Sequence, residues 1–115
     1  MSMKQLKKDV NCLVLDEYKR ASDQYGPKHH SLHEAAAVMF EEYEEGGEEV
    51  SKITDLFDQF WAQTRNDNGL GCKMLASKLR DRAINAACEM IQLAAMAHKT
   101  VQSLDNKGFL EEEIK

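Results

Sequence analysis

Apolar residues along the chain recur every three or four positions, and nowhere do they alternate with polar ones over a strand's length. That spacing predicts helices, because residues three and four apart share one face of an α-helix. The first run, from about Lys4 to Tyr25, sets Leu6, Val10, Leu13, Val14, Tyr18 and Ala21 on one side. "YGPKHHS" stops it, since Gly26 suits a helix end and Pro27 cannot continue the hydrogen-bond ladder. Ser31 is placed to cap a second helix, with Glu34 three residues later to complete a capping box. Leu32, Ala35, Ala36, Met39, Phe40 and Tyr43 form its apolar stripe.

Gly46 and Gly47 then interrupt the pattern, each costing a helix roughly 1 kcal/mol relative to alanine. They are expected to end or kink the helix, or to admit a neighbouring backbone. Periodicity returns through Val50, Ile53, Leu56, Phe57, Phe60 and Trp61, and "RNDNGLG" follows as the clearest loop. The last helix is expected from about Lys73 to Leu104, with Leu75, Leu79, Ala83, Ala86, Met90, Leu93, Ala94, Ala97 and Val101 on its buried side. The expected fold is all-α, an antiparallel bundle of about four helices.

Composition narrows this further. With 115 residues, 43% hydrophobic and 30% charged, the chain is expected to be one globular domain, 1–115. It divides into an N-terminal helix in 1–25, further helices in 31–104 and a fraying tail in 105–115. A net charge of −5 disfavours a nucleic-acid groove, which needs clustered basic residues. No apolar run approaches the ~20 residues of a membrane span. "MSMKQLKKDV" lacks the apolar segment of a signal peptide, and Cys12, Cys72 and Cys88 form no pairing motif. A reduced, cytoplasmic setting is the expectation.

Two stretches carry candidate chemistry. "FEEYEEGGEEV" puts six glutamates into eleven positions, and Glu42 and Glu45 share a helical face with Glu41 one turn from Glu45. Alone, such a run reads as a solvated face. "CEMIQLAAMAH" is more telling, because Glu89 and Gln92 stand three apart in an otherwise apolar helix. A carboxylate among Ala86, Ala87, Met90, Leu93 and Ala94 is costly to bury unless it is paired or coordinated. Two helices that each present such a pair can build an all-oxygen site, which suits Mg²⁺ or Mn²⁺ rather than zinc.

"HEAAAVMFEEYEE" followed by "CEMIQLAAMAHKTV" resembles the MazG-like branch of the all-α NTP pyrophosphatases, over about Ser31 to Leu104. The family's Glu-Glu-x-x-Glu motif falls on Glu41, Glu42 and Glu45, and its Glu-x-x-Asp motif on Glu89 and Gln92. The resemblance implies Mg²⁺-dependent cleavage of a nucleoside triphosphate between its α and β phosphates, in nucleotide-pool housecleaning. It makes Glu42, Glu45, Glu89 and Gln92 metal ligands, and Glu41 a ligand or the base that orients water. Gln92 stands where the family has aspartate, and the stretch between the two motifs is longer than usual. The resemblance also implies a homodimer or homotetramer, consistent with the apolar surplus between Ile53 and Trp61.

Other residues have plainer readings. His29, His30 and His33 have no cysteine spaced to join them in a zinc site, so they read as polar residues at a helix start. Glu44, Glu48 and Glu49 read as surface residues, and Phe57, Phe60 and Trp61 as core or interface. Lys78 and Arg82 are candidate phosphate ligands two to three turns before Glu89, although exposed solubilising charges fit equally. The rival function is a non-catalytic helical interaction protein that keeps the fold without hydrolysis, with Gln92 and the two glycines in its favour.

Overall fold

The computed structural model describes residues 2–105. They form three helices, α1 (Met3–Tyr25), α2 (Leu32–Arg65) and α3 (Gly69–Asp105), with no strand among them. The all-α expectation is met, and the count of about four helices is corrected to three. The difference lies at Gly46 and Gly47, which continue α2 rather than end it. Their helical cost is local, whereas the helical residues on both sides extend the same hydrogen-bond ladder through them. The tail expected after Asp105 lies outside the described residues.

Caps set the ends of the helices. Ser2 Oγ accepts from the Gln5 backbone N–H at 3.1 Å and starts α1. Gly26, at φ +94°, ends it and donates to the Ser22 carbonyl at 2.8 Å. Ser31 Oγ accepts from the Glu34 N–H as the capping box requires. The Glu34 carboxylate, however, takes the backbone N–H of His30, one residue earlier than that motif specifies. Asn68 caps α3, its side-chain oxygen accepting from Gly71 N–H at 3.0 Å. That cap starts the last helix at Gly69, a turn before the expected Lys73.

The described residues form two compact units. The first holds α1, the start of α2 as far as Tyr43, and α3 from Met90 onward. Its buried residues are small or polar: Ala21, Ala35, Ala95, His29, Lys99 and Ser103. Tyr18 packs edge-on against His98 with ring centroids 4.7 Å apart. Leu6, Val10 and Leu13, expected on the inner side of α1, are exposed. The second unit, Glu44–Glu89, is an antiparallel hairpin of α2 and α3. Ile53, Leu56, Phe60, Leu75, Leu79 and Ala86 are half-buried in it, whereas Val50, Phe57, Trp61 and Ala83 stay exposed. No described helix is long and apolar enough to cross a membrane.

Candidate active site

Within the second unit, Glu45 on α2 and Glu89 on α3 are both half-buried. Glu42 precedes Glu45 by one turn of the same helix, so the three-residue spacing gives it the same side. Glu45 and Glu89 each offer a carboxylate oxygen, and these oxygens lie within 4.8 Å of each other. Gln92 follows Glu89 by three residues on α3 and is also half-buried. Among the described residues, His29, His30, His33 and the cysteines join no such group.

The donor set fits a hard cation. All three side chains bring oxygen, the ligand that Mg²⁺ and Mn²⁺ prefer. An octahedral ion with oxygens at about 2.1 Å holds neighbouring ligands about 3 Å apart and opposite ones about 4.2 Å apart. Oxygens within 4.8 Å of one another reach that geometry with small rotations about the side-chain torsions.

In the first unit, Glu41, Glu42 and Gln92 line a cavity of about 390 Å³. That volume is within the usual range for small-molecule sites, roughly 300–1,000 Å³. Its other walls lie outside the two acidic motifs of the sequence: Glu17, Arg20, Ala21 and Tyr25 from α1, His29 from the segment before α2, Glu34 and Val38 from α2, and Met96 and Lys99 from α3. Lys99 is only 4% exposed, and among the described residues no carboxylate lies within ion-pair distance of its ammonium. A buried cation in that condition favours an anionic guest. Arg20 is already engaged, its Nε donating to Glu17 at 2.9 Å. That hydrogen bond and the guanidinium charge hold the Glu17 carboxyl below its ordinary range.

His29 is buried at the cavity wall. Its backbone N–H donates to Ser103 Oγ at 3.3 Å, and Ser103 Oγ donates to the Lys99 carbonyl at 2.8 Å. Its Nε2 is 3.5 Å from the Met96 carbonyl, while Nδ1 has no hydrogen-bond partner among the described residues and lies 3.9 Å from Glu34 Oε1. Burial pushes the imidazole below its usual range and Lys99 adds to this, against the opposing pull of the Met96 carbonyl and Glu34. At neutral pH His29 is therefore a neutral ring at the wall, where the sequence alone suggests a polar residue at a helix start.

Lys78 and Arg82 do not reach this cavity. They line a separate cleft of the second unit with Lys52, Asp55 and Asp81, and Arg82 donates to Glu49 at 3.5 Å. Glu49 is accordingly half-buried and paired, where a bare surface residue was expected. The signal for Lys99 was present in the sequence: Gln92, Met96 and Lys99 follow one another at four and three residues, on one face of α3. His29 carried no such signal, because a non-helical segment has no periodicity to read. No protein-family model matches the chain, and no curated protein or solved structure matches it.

Proposed function

We propose that the chain is a Mg²⁺-dependent nucleoside triphosphate pyrophosphohydrolase of the cytoplasm. It splits the α–β phosphoanhydride of a (d)NTP with water, giving a (d)NMP and pyrophosphate, and so clears unwanted nucleotides from the pool. The observation that carries this reading is the convergence of the Glu45 and Glu89 carboxylates within 4.8 Å, with Glu42 one helical turn before Glu45, at the positions where the family resemblance calls for metal ligands.

When bound, Mg²⁺ would supply Lewis-acid polarisation of the phosphate and a water of lowered pKa. Glu42, Glu45 and Glu89 would hold it, with the Gln92 carbonyl oxygen as a neutral fourth donor. Glu41 lines the same cavity as Glu42 and would accept the proton of the attacking water. Lys99, buried in that wall, would receive phosphate oxygens. Lys78 and Arg82 would act only on a part of the substrate outside this cavity.

The test is pyrophosphate release from a panel of canonical and modified (d)NTPs with Mg²⁺, Mn²⁺ or EDTA. Metal-dependent release with a monophosphate co-product is expected, and Glu42→Gln or Glu89→Gln should abolish it while the helical signal persists. A second reading, the non-catalytic interaction protein, rests on Gln92 standing where a carboxylate would add charge to the metal site. The continuity of α2 through Gly46 and Gly47 removes its other argument. No release from any substrate by folded protein with either metal would favour it.

A further inference from the structure

His29 and Lys99 both line the cavity of the first unit, at 2% and 4% exposure. The Met96 carbonyl can only accept, so the ring nitrogen that faces it at 3.5 Å, Nε2, carries the proton of the neutral imidazole. Nδ1 is then a lone pair. It has no hydrogen-bond partner among the described residues and faces Glu34 Oε1 at 3.9 Å. The other oxygen of that carboxylate accepts from the His30 backbone N–H at 3.4 Å. Two buried acceptors therefore face one another without the proton that would join them.

Burial is the first force that keeps this proton away, and the charge of Lys99 adds to it, while the Met96 carbonyl and Glu34 draw the proton in. Burial is fixed by the fold, but an anion can offset the charge of Lys99. Among the described residues no carboxylate lies within ion-pair distance of that ammonium, so a guest is free to supply one. We propose that this cavity binds an oxyanion together with one proton, the anion on the Lys99 ammonium and the proton on His29 Nδ1, against Glu34. The proton comes from solvent and returns to it when the anion leaves, and no bond of the guest is made or broken. The guest chemistry is a tetrahedral oxyanion, free or carried by a nucleotide.

Linkage fixes the sign of the effect. An anion that favours the protonated ring binds more tightly to it, so a proton is taken up on binding and affinity rises as pH falls. Other charged groups surround His29. Lys28 and His30 flank it in its own segment, and the cavity adds Glu17, Arg20 and Tyr25 from α1 and Glu34, Glu41 and Glu42 from α2. Protonating any of these carboxylates would also ease entry of an anion, so a substitution at His29 has to separate the two causes. This rests on the hydrolase reading only where Lys99 receives phosphate oxygens, and it needs neither the metal nor hydrolysis.

Sulfate is the probe, because it keeps its charge across the neutral and mildly acidic range. Titrated into the full chain at constant ionic strength, without metal or nucleotide, it should bind about five- to tenfold more tightly at pH 5.5 than at pH 7.5. The His29 imidazole signal, assigned through the backbone and followed by NMR, should titrate at higher pH with sulfate than without. His29→Asn should bind sulfate with that pH dependence lost. Lys99→Met should lose at least tenfold in affinity and leave the His29 titration unmoved by sulfate. A nucleoside triphosphate in EDTA that displaces sulfate identifies a nucleotide phosphate as the guest. Sulfate that it fails to displace identifies a free oxyanion, and the proton accompanies either. No sulfate binding, a wild-type His29 titration indifferent to sulfate, or an equal pH dependence in folded His29→Asn would each overturn the proposal. None of these outcomes turns on whether pyrophosphate is released, so this inference and the hydrolase reading can fail separately.

Discussion

Glu45 of α2 and Glu89 of α3 meet across the hairpin with carboxylate oxygens within 4.8 Å, although forty-four positions separate them in the chain. Such an arrangement concentrates negative charge, and a bound divalent cation offsets it. Binding to the folded state alone adds stability of RT ln(1 + [L]/Kd), about 1.4 kcal/mol at ten times Kd. Mg²⁺ should therefore raise the melting temperature of the wild type by several degrees over an EDTA control. Glu89→Gln removes one anionic donor and should lose most of that shift. Paired thermal melts by circular dichroism check this without any substrate. An equal shift in wild type and variant would remove Glu89 from the metal site.

Lys99 invites the complementary test on the anion side. Lys99→Met keeps most of the aliphatic stem and deletes the ammonium. If Lys99 receives phosphate oxygens, kcat/KM for pyrophosphate release should fall by about 10- to 100-fold, equivalent to about 1.4 to 2.8 kcal/mol. Stability should hold or rise, because a buried cation without an ion-pair partner among the described residues opposes folding. Urea unfolding alongside the kinetics separates the two effects. Arg20→Gln should matter less to turnover, since that guanidinium is already held by Glu17.

The acids were legible before any coordinates because helical spacing is local arithmetic: Glu42 with Glu45, and Glu89 with Gln92, are fixed in relation by three residues of α-helix. That Glu45 and Glu89 converge is a tertiary fact, which periodicity cannot state. The same limit explains the apolar stripes. Val50 and Ile53 are indistinguishable as apolar helical positions, yet Ile53 is half-buried and Val50 is exposed. The helical cost of Gly46 and Gly47 makes an end, a kink or a close backbone approach the local expectation, whereas a ladder continuous on both sides carries the pair along. Lys78 and Arg82 are basic and upstream of Glu89, but sequence distance holds no information about which cavity they line.

His29 gives the protein a pH dependence of stability with a definite sign. Its folded pKa lies below the ordinary value of 6.5, chiefly through burial, so the unfolded chain takes up a proton that the folded chain refuses. Stability then rises with pH wherever the unfolded state binds more protons. The contribution is complete above about pH 6.5 and is lost as pH falls below that toward the folded pKa. Urea midpoints measured from pH 7.5 down to 5 should decline. His29→Asn keeps a polar side chain without this titration and should flatten the decline. A parallel decline in both proteins would assign it to other groups.

Gly47 and Gly71 should respond in opposite ways to the same substitution. An added Cβ at Gly47 meets nothing within 4 Å, and the residue lies inside α2. Gly47→Ala should therefore stabilise by about 0.5 to 1 kcal/mol, from helix propensity and reduced freedom of the unfolded chain. At Gly71 the added Cβ comes within 2.8 Å of Asn68 Nδ2 and 3.0 Å of Gln63 Oε1. Both amides are committed, since Asn68 Nδ2 donates to Gln63 Oε1 at 2.8 Å and Asn68 Oδ1 accepts from Gly71 N–H at 3.0 Å. Displacing them disturbs the cap that starts α3, at a cost of about 1 kcal/mol that cancels the gain in propensity. Urea midpoints should rise for Gly47→Ala and not for Gly71→Ala. A Gly47→Ala protein no more stable than wild type would mean that α2 does not run unbroken through its two glycines in solution.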